Sequence, residues 1–311
     1  MRYLITGGAG FIGSNIVEEL VRRGEQVRVL DNFATGRREN LASFLSRIEL
    51  VEGDIRDYRK TREAMEGVDV VLHQAAIPSV PRSVADPLTS NEVNVTGTLN
   101  VLHAAKDAKV RRVVNASSSS VYGDNPELPK HEGMMPNPLS PYAVSKLAAE
   151  KYCSVFWNVY RLETVSLRYF NVFGPRQDPT SQYSAVIPKF ISAMNNGQQP
   201  VIFGDGTQSR DFTYIANVIE ANLLAASVDC DPGVALNCAC HERVTLIGLV
   251  SELNNLLKRT IEPVFADPRP GDIKHSYADI RLAEKTLGYA PGIRFSEGLG
   301  MTVDWYIRAG Q

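Results

Sequence analysis

Short apolar runs rich in β-branched residues alternate with longer segments of helical period through the first 170 residues. Tyr3-Leu4-Ile5, Val27-Arg28-Val29-Leu30, Ile48 to Val51, Val68 to Leu72, Val113 to Ala116 and Thr164 to Leu167 read as strands. Phe11 to Arg23 and the stretches near 58–66, 90–108 and 142–160 read as helices, because their apolar residues recur on one face. Alternation of this kind implies an α/β fold with a doubly wound parallel sheet, in which ligands gather at the carboxyl ends of the strands. From about Pro175 the alternation fails and Pro188, Pro200, Gly204, Gly206, Pro232, Pro263, Pro268 and Pro270 accumulate. Residues 1–174 are therefore expected to form the large domain and 175–311 a smaller mixed α/β domain. The boundary is interleaved, and later segments are free to return to the large domain.

The first strand runs into Thr6-Gly7-Gly8-Ala9-Gly10-Phe11-Ile12-Gly13, which opens the first helix. Glycines there let backbone approach a pyrophosphate, and the helix N-terminus offers unpaired N–H groups to it. Asp31 ends the second strand about twenty residues on, where a Rossmann sheet places a ribose-binding carboxylate. A carboxylate at that point accepts from ribose hydroxyls and repels a 2′-phosphate, so the expected cofactor is NAD rather than NADP. After later strands come Gly53-Asp54-Ile55, with Asp54 placed for the adenine, and His73-Gln74-Ala75-Ala76, small enough to leave room for a cofactor. His73 itself reads as a structural histidine, since nothing adjacent tunes it.

Four hydroxyls, Ser117 to Ser120, follow the fifth strand, and Tyr142-Ala143-Val144-Ser145-Lys146 opens a helix behind Ser140-Pro141. Positions i and i+4 share a helix face, so phenol and ammonium reach one cleft. A fixed cation favours the ionised phenol, which would move Tyr142 towards service as a base.

Composition changes this picture little. The chain has 311 residues, enough for a large core, and a net charge of −2 with no long basic block, which gives no electrostatic case for nucleic acid or an anionic membrane as partner. No apolar run approaches a membrane span, and the first strand begins at once, so no signal peptide is expected and the cytosol is the expected compartment. Cys153, Cys230, Cys238 and Cys240 lack a paired framework and read as reduced thiols. Cys238-Ala239-Cys240-His241 sits in a strand-like pattern without a second ligand pair, so no metal is expected.

These motifs, in this order, resemble the extended short-chain dehydrogenase/reductase family, and within it the UDP-hexose 4-epimerases, particularly those acting on UDP-N-acetylglucosamine. The resemblance spans nearly the whole chain, through Leu167 to Gly174, Gly206 to Tyr214 and Arg269-Pro270-Gly271-Asp272. It implies that Ser118, Tyr142 and Lys146 are catalytic. It places Gly7, Gly10, Phe11, Ile12, Gly13, Asp31, Asn32, Asp54, Ile55, Gln74, Ala75, Ala76, Asn94, Tyr142, Lys146 and Tyr169 at NAD. It places Ser79, Ser117, Ser118, Asn171, Val186, Lys189, Phe190, Arg210, Arg269, Asp272 and Ser276 at the UDP-sugar, with the two arginines suited to a diphosphate and Asp272 to ribose hydroxyls. Ser276, two before Ala278-Asp279, falls where family members border the sugar's C2 substituent, and Ser117 and Asn171 match polar positions around that pocket. A homodimer through a four-helix bundle is implied as well, formed by the helices near 90–108 and 142–160. Three other functions compete. A 4,6-dehydratase needs Asp-Glu directly after the catalytic hydroxyl residue and this chain has Ser119-Ser120; a UDP-glucuronate 4-epimerase differs in a few pocket residues; a non-catalytic cofactor-sensing protein would not need intact Ser118, Tyr142 and Lys146.

Overall fold

The computed structural model describes residues 1–179, 185–268, 274–308 and 310. Its strands are β1 (Arg2–Thr6), β2 (Gln26–Asp31), β3 (Glu49–Glu52), β4 (Val70–His73), β5 (Arg112–Ser118), β6 (Glu163–Tyr169), β7 (Val172–Phe173), β8 (Val201–Phe203), β9 (Ser209–Arg210), β10 (Thr213–Tyr214), β11 (Val234–Cys238), β12 (Val244–Thr245) and β13 (Val264–Ala266). The helices are α1 (Phe11–Arg22), α2 (Tyr58–Ala64), α3 (Val80–Ala85), α4 (Pro87–Asn91), α5 (Thr98–Asp107), α6 (Pro141–Tyr160), α7 (Val186–Asn195), α8 (Ile215–Ser227), α9 (Leu246–Leu257), α10 (Arg281–Leu287) and α11 (Phe295–Arg308).

Seven strands form one parallel sheet in the order β11-β6-β5-β4-β1-β2-β3. Chain order reverses between β1 and β4, which opens the crevice where a doubly wound sheet takes its ligand. One face buries Ile16 and Val17 of α1 and Ala221 and Ala225 of α8; the other buries Ala64 of α2, Leu102 of α5 and Phe156 of α6. Strands covered on both sides this way explain the near-continuous apolar runs in the sequence.

The expected strands fall where the runs lie, to within two residues. The helix near 90–108 is not uniform: Glu92–Gly97 between α4 and α5 is wound as a π-helix, a form no apolar period reveals. A 3-10 helix over Arg38–Arg47 and the short α3 also carry no periodic signal. After Pro175 the chain does not separate cleanly. β11 returns to the large sheet beside β6, and among the described residues only the pairs β8–β13, β9–β12 and β7–β10 stand outside it as strands. Cys238 ends β11 and is buried, and among the described residues no group of His, Cys, Asp and Glu could hold a metal. No helix among them is long and apolar enough to cross a membrane.

The turn after β1 depends on missing side chains. A Cβ on Gly13 would lie 2.2 Å from the Gly7 carbonyl oxygen, and one on Gly7, at φ +69°, 2.7 Å from the Ala75 backbone. Gly13→Ala should therefore destabilise by about 1–3 kcal/mol despite alanine's better helix propensity, because backbone must move to admit the methyl. Gly292→Ala, with nothing within 4 Å, is the control and should change little. Urea unfolding checks this, and equal midpoints for the two variants would refute the close-packing account.

Candidate active site

Gly7 is anchored by its N–H to the Leu30 carbonyl at 2.8 Å, and Gly10 by its N–H to Gly7 at 3.1 Å. The turn thus hands the chain to α1 with no side chain capping the helix, so the first-turn N–H groups of Phe11, Ile12 and Gly13 face the crevice open. Asp31 is buried at the end of β2, where its two carboxylate oxygens accept from the N–H of Ala9 and of Phe33, each at 2.8 Å. Each oxygen keeps a lone pair for a hydroxyl. Burial pushes this carboxyl up, against those two hydrogen bonds. The nearby arginines are committed elsewhere: Arg37 pairs with Asp178 at 2.6 Å, and Arg38 pairs with Glu52 and stacks 4.0 Å from the Phe33 ring. Asn32 donates to Asp54 at 2.8 Å, and Arg56 holds the Asp54 carboxyl down to about 2. This cradle fits a dinucleotide with free ribose hydroxyls. Ile55 can offer only backbone to it, since its side chain is core beneath Gly97.

Across the crevice, Gln74 donates to the Tyr169 hydroxyl at 3.1 Å, and both meet Asn222 of α8. His73 is buried between the hydroxyls of Thr6 (2.7 Å) and Thr98 (2.9 Å), and burial pushes its pKa down to about 3, so it is neutral and structural. Asn94, expected at the cofactor, instead spends its amide on the Ile77 N–H (2.8 Å), the Ile77 carbonyl (3.1 Å) and Ser145 (3.0 Å). Buried within the π-helix, it fixes the loop after Ala76 against α6.

The Ser140 hydroxyl caps α6 by accepting from Ala143 N–H at 3.1 Å, and Pro141 starts its first turn. The backbone N–H of Tyr142 donates to Ser83 of α3 at 3.0 Å. Its phenol hydrogen-bonds Ser118 at the end of β5, yet burial is the larger effect and raises its pKa. In the folded chain burial, not Lys146, governs the phenol. Lys146 points its ammonium at the Ala116 carbonyl, 2.8 Å away, and stands 5.9 Å from the centre of the Tyr142 ring. Burial brings the Lys146 pKa down to about 8, with the Glu150 charge opposing.

One serine is also corrected. Ser117 lies on the sheet face covered by α6, because strand side chains alternate, and donates to the buried Glu150 carboxylate rather than facing a sugar. Ser79, at φ 92°, caps α3 by accepting from Arg82 N–H at 3.3 Å.

A cleft of about 620 Å³ is lined by Asn171, Val186, Lys189, Phe190 and Arg210, all expected at the substrate, together with Phe203 and Gln208. Ser276, half-buried, meets Asn171, whose amide donates to the serine hydroxyl at 3.4 Å and to the Asp211 carbonyl at 3.3 Å. Asp211 accepts from the N–H of Cys240 at 2.9 Å and of Ala278 at 3.2 Å, which pins the segment carrying Ser276; burial pushes its carboxyl up to about 7. Arg269 and Asp272 lie outside the described residues.

The model of the NAD dependent epimerase/dehydratase family matches residues 3–239. The chain belongs to this family. It is 39% identical to a putative UDP-glucose 4-epimerase of Methanocaldococcus jannaschii, over 97% of each chain. A solved UDP-N-acetylglucosamine 4-epimerase of Methanobrevibacter ruminantium, in complex with UDP-N-acetylmuramic acid, is 42% identical with a TM-score of 0.94, covering 99% of this chain and 98% of that one. The UDP-glucose 4-epimerase of Thermus thermophilus, solved in complex with NAD, is 38% identical with a TM-score of 0.91, covering 99% of this chain and 100% of that one.

Sequence reasoning missed the residues that position this epimerase/dehydratase site rather than form it. Asn222 and Ser83 sit on helices with no motif around them. Glu150 was open to discovery, since it continues the Tyr142 and Lys146 spacing by one more turn.

The buried ammonium generates a stability prediction. Because its folded pKa is near 8 and its ordinary value 10.5, the unfolded chain binds more protons between those values, so stability rises with pH there. Lys146→Met should be more stable than the parent by about 1–3 kcal/mol at pH 7, with the gap constant below pH 8 and shrinking towards pH 10.5. Urea melts across that range check it; a gap that widens with pH would contradict it.

Proposed function

We propose that this protein is a UDP-sugar 4-epimerase that holds NAD and accepts N-acetylated hexoses alongside plain ones. The observation that carries the reading is the half-buried Ser276 against Asn171, 3.4 Å apart, with Asn171 itself lining the cleft of about 620 Å³. A small side chain there leaves space for a C2 acetamido group, and two polar groups stand ready to meet its amide. The relatives named above, described as 4-epimerases of UDP-glucose or UDP-N-acetylglucosamine, support the same chemistry.

The Gly7 to Gly13 turn and α1 would hold the NAD pyrophosphate, Asp31 its adenosine ribose, and Lys146 the nicotinamide ribose. NAD supplies reversible hydride acceptance at the sugar's C4. Tyr142 takes the 4-hydroxyl proton and gives it back, while Ser118 hydrogen-bonds the same oxygen. Arg210, on β9, serves the diphosphate, so that one end of the substrate stays fixed while the sugar turns. Val186, Lys189 and Phe190 of α7 border the uracil.

A homodimer belongs to the proposal. Val144, Val155 and Val159 lie exposed along α6, and the apolar residues beside them are Val84 and Leu88 of α3 and α4 rather than residues of the expected helix near 90–108, which exposes no large apolar side chain between 92 and 108. That apolar stripe suits pairing with a second copy.

Purified protein without added NAD, incubated with UDP-Glc, UDP-GlcNAc and UDP-GlcA, should yield the 4-epimers of the first two. Tyr142→Phe should cut turnover by about 10²–10⁴-fold while UDP-sugar affinity, measured by calorimetry, stays near the parent's. More than half the parental rate would remove Tyr142 from the mechanism. Ser276→Tyr should abolish turnover of UDP-GlcNAc and spare UDP-Glc, because filling the space penalises the larger ligand. An unchanged ratio of the two rates would overturn the assignment of Ser276.

A further inference from the structure

Beneath α6 the sheet presents a polar seam where apolar residues would ordinarily stand. Strand pairing sets Val113 beside Thr164, Asn115 beside Ser166 and Ser117 beside Arg168. Thr164 donates its hydroxyl to the Cys153 carbonyl at 2.8 Å, and Asn115 donates to Ser166 at 3.2 Å. At the seam's end, Arg168 grips the Glu150 carboxylate with both arms of its fork, Nε to Oε1 at 2.9 Å and Nη2 to Oε2 at 2.8 Å, and Ser117 adds a third donor. Both charged side chains are about 95% buried. The third guanidinium nitrogen donates to the Tyr122 hydroxyl at 2.9 Å, which in turn donates to Asn237 of β11 at 2.7 Å.

Resting on the epimerase reading, we propose that Glu150 and Arg168 are positioning residues for the reaction. Clamped together, they set the rotation of α6 over β5 and β6 so that Tyr142 and Lys146 meet Ser118 and the Ala116 carbonyl. Three observations converge on this role. Residues 142, 146 and 150 share one helix face, so fixing the last fixes the first two. Ser117 precedes Ser118 directly, which ties the strand end bearing the reactive hydroxyl to the same carboxylate. A buried ion pair is also an uneconomical way to stabilise a fold, since apolar side chains of similar volume do as well or better, whereas a bidentate fork adds an orientation that they lack. The Glu150 charge has a second effect, favouring the ammonium form of Lys146 one turn away.

The test separates orientation from stability. Replacing the whole cluster, as Ser117→Ala/Glu150→Met/Arg168→Met, leaves neither a buried charge nor an orphaned hydroxyl in the clamp. Its thermal midpoint should match or exceed the parent's, while kcat for UDP-Glc falls at least about tenfold at unchanged KM, as expected when reacting groups lose alignment. A folded triple variant with kcat within twofold of the parent overturns the proposal. If the triple variant does not fold, Glu150→Gln decides: it should show the same loss in kcat at constant KM, and a parental kcat overturns the role. A parent without turnover of any UDP-sugar overturns the epimerase reading instead. The crystal structure of the triple variant, or of Glu150→Gln in its place, then decides the positioning role. A Tyr142 hydroxyl displaced by more than about 0.5 Å relative to Ser118 supports it, and an unmoved one overturns it.

Discussion

Three ionisable side chains, Tyr142, Lys146 and Glu150, are packed along one face of α6 against the carboxyl end of a sheet, and much of the architecture answers that cost. A buried ion is tolerated only when local groups replace water. Lys146 is met by the Ala116 carbonyl and Glu150 by Arg168 and Ser117. All of these partners come from β5 and β6. The pairing of those two strands is therefore part of the site: a slip of one residue would turn Arg168 to the other face and leave the carboxylate alone.

The same demand explains why the later part of the chain is not an independent appendage. β11 joins the large sheet beside β6, and its Asn237 donates to the carbonyls of Lys130 and Asp279, each at 2.9 Å, while taking the Tyr122 hydroxyl. Lys130 and Ala278 are bridged as a short parallel contact. The segment carrying Ser276 is thus held after that residue by Asp211 and this bridge, both at Ala278, and up to it by Ser209, whose N–H donates to the Lys274 carbonyl and whose carbonyl accepts from the Ser276 N–H. A segment of irregular backbone gains a fixed position this way, because its main-chain groups are paired with regular elements.

The parallel sheet with its first six strands, the helices between them and the glycine turn were legible because they follow from periodicity and from backbone geometry that only glycine permits. Side-chain destinations were less so. A run of four serines looks uniform in sequence, yet strand alternation sends Ser117 under α6 and leaves Ser118 for Tyr142. The family resemblance puts Asn94 at the cofactor, and within the π-helix its amide is bonded to the Ile77 backbone and Ser145. Tyr142 and Lys146 share a helix face, as their spacing requires, but spacing does not say where an ammonium points. The Ala116 carbonyl, supplied by a strand, decides that.

This last difference bears on how the phenol acts. Were Lys146 in contact with the hydroxyl, the protein itself would keep Tyr142 poised for ionisation. As folded, the ammonium is engaged by Ala116, the phenol hydrogen-bonds the neutral Ser118, and burial favours the protonated form. A tyrosine in this setting holds its proton at rest, and base strength must come from whatever positive charge and hydroxyl groups the filled site brings close to it. The protein's own contribution is then the fixed distance between Ser118, Tyr142 and Lys146, held from the polar seam beneath α6.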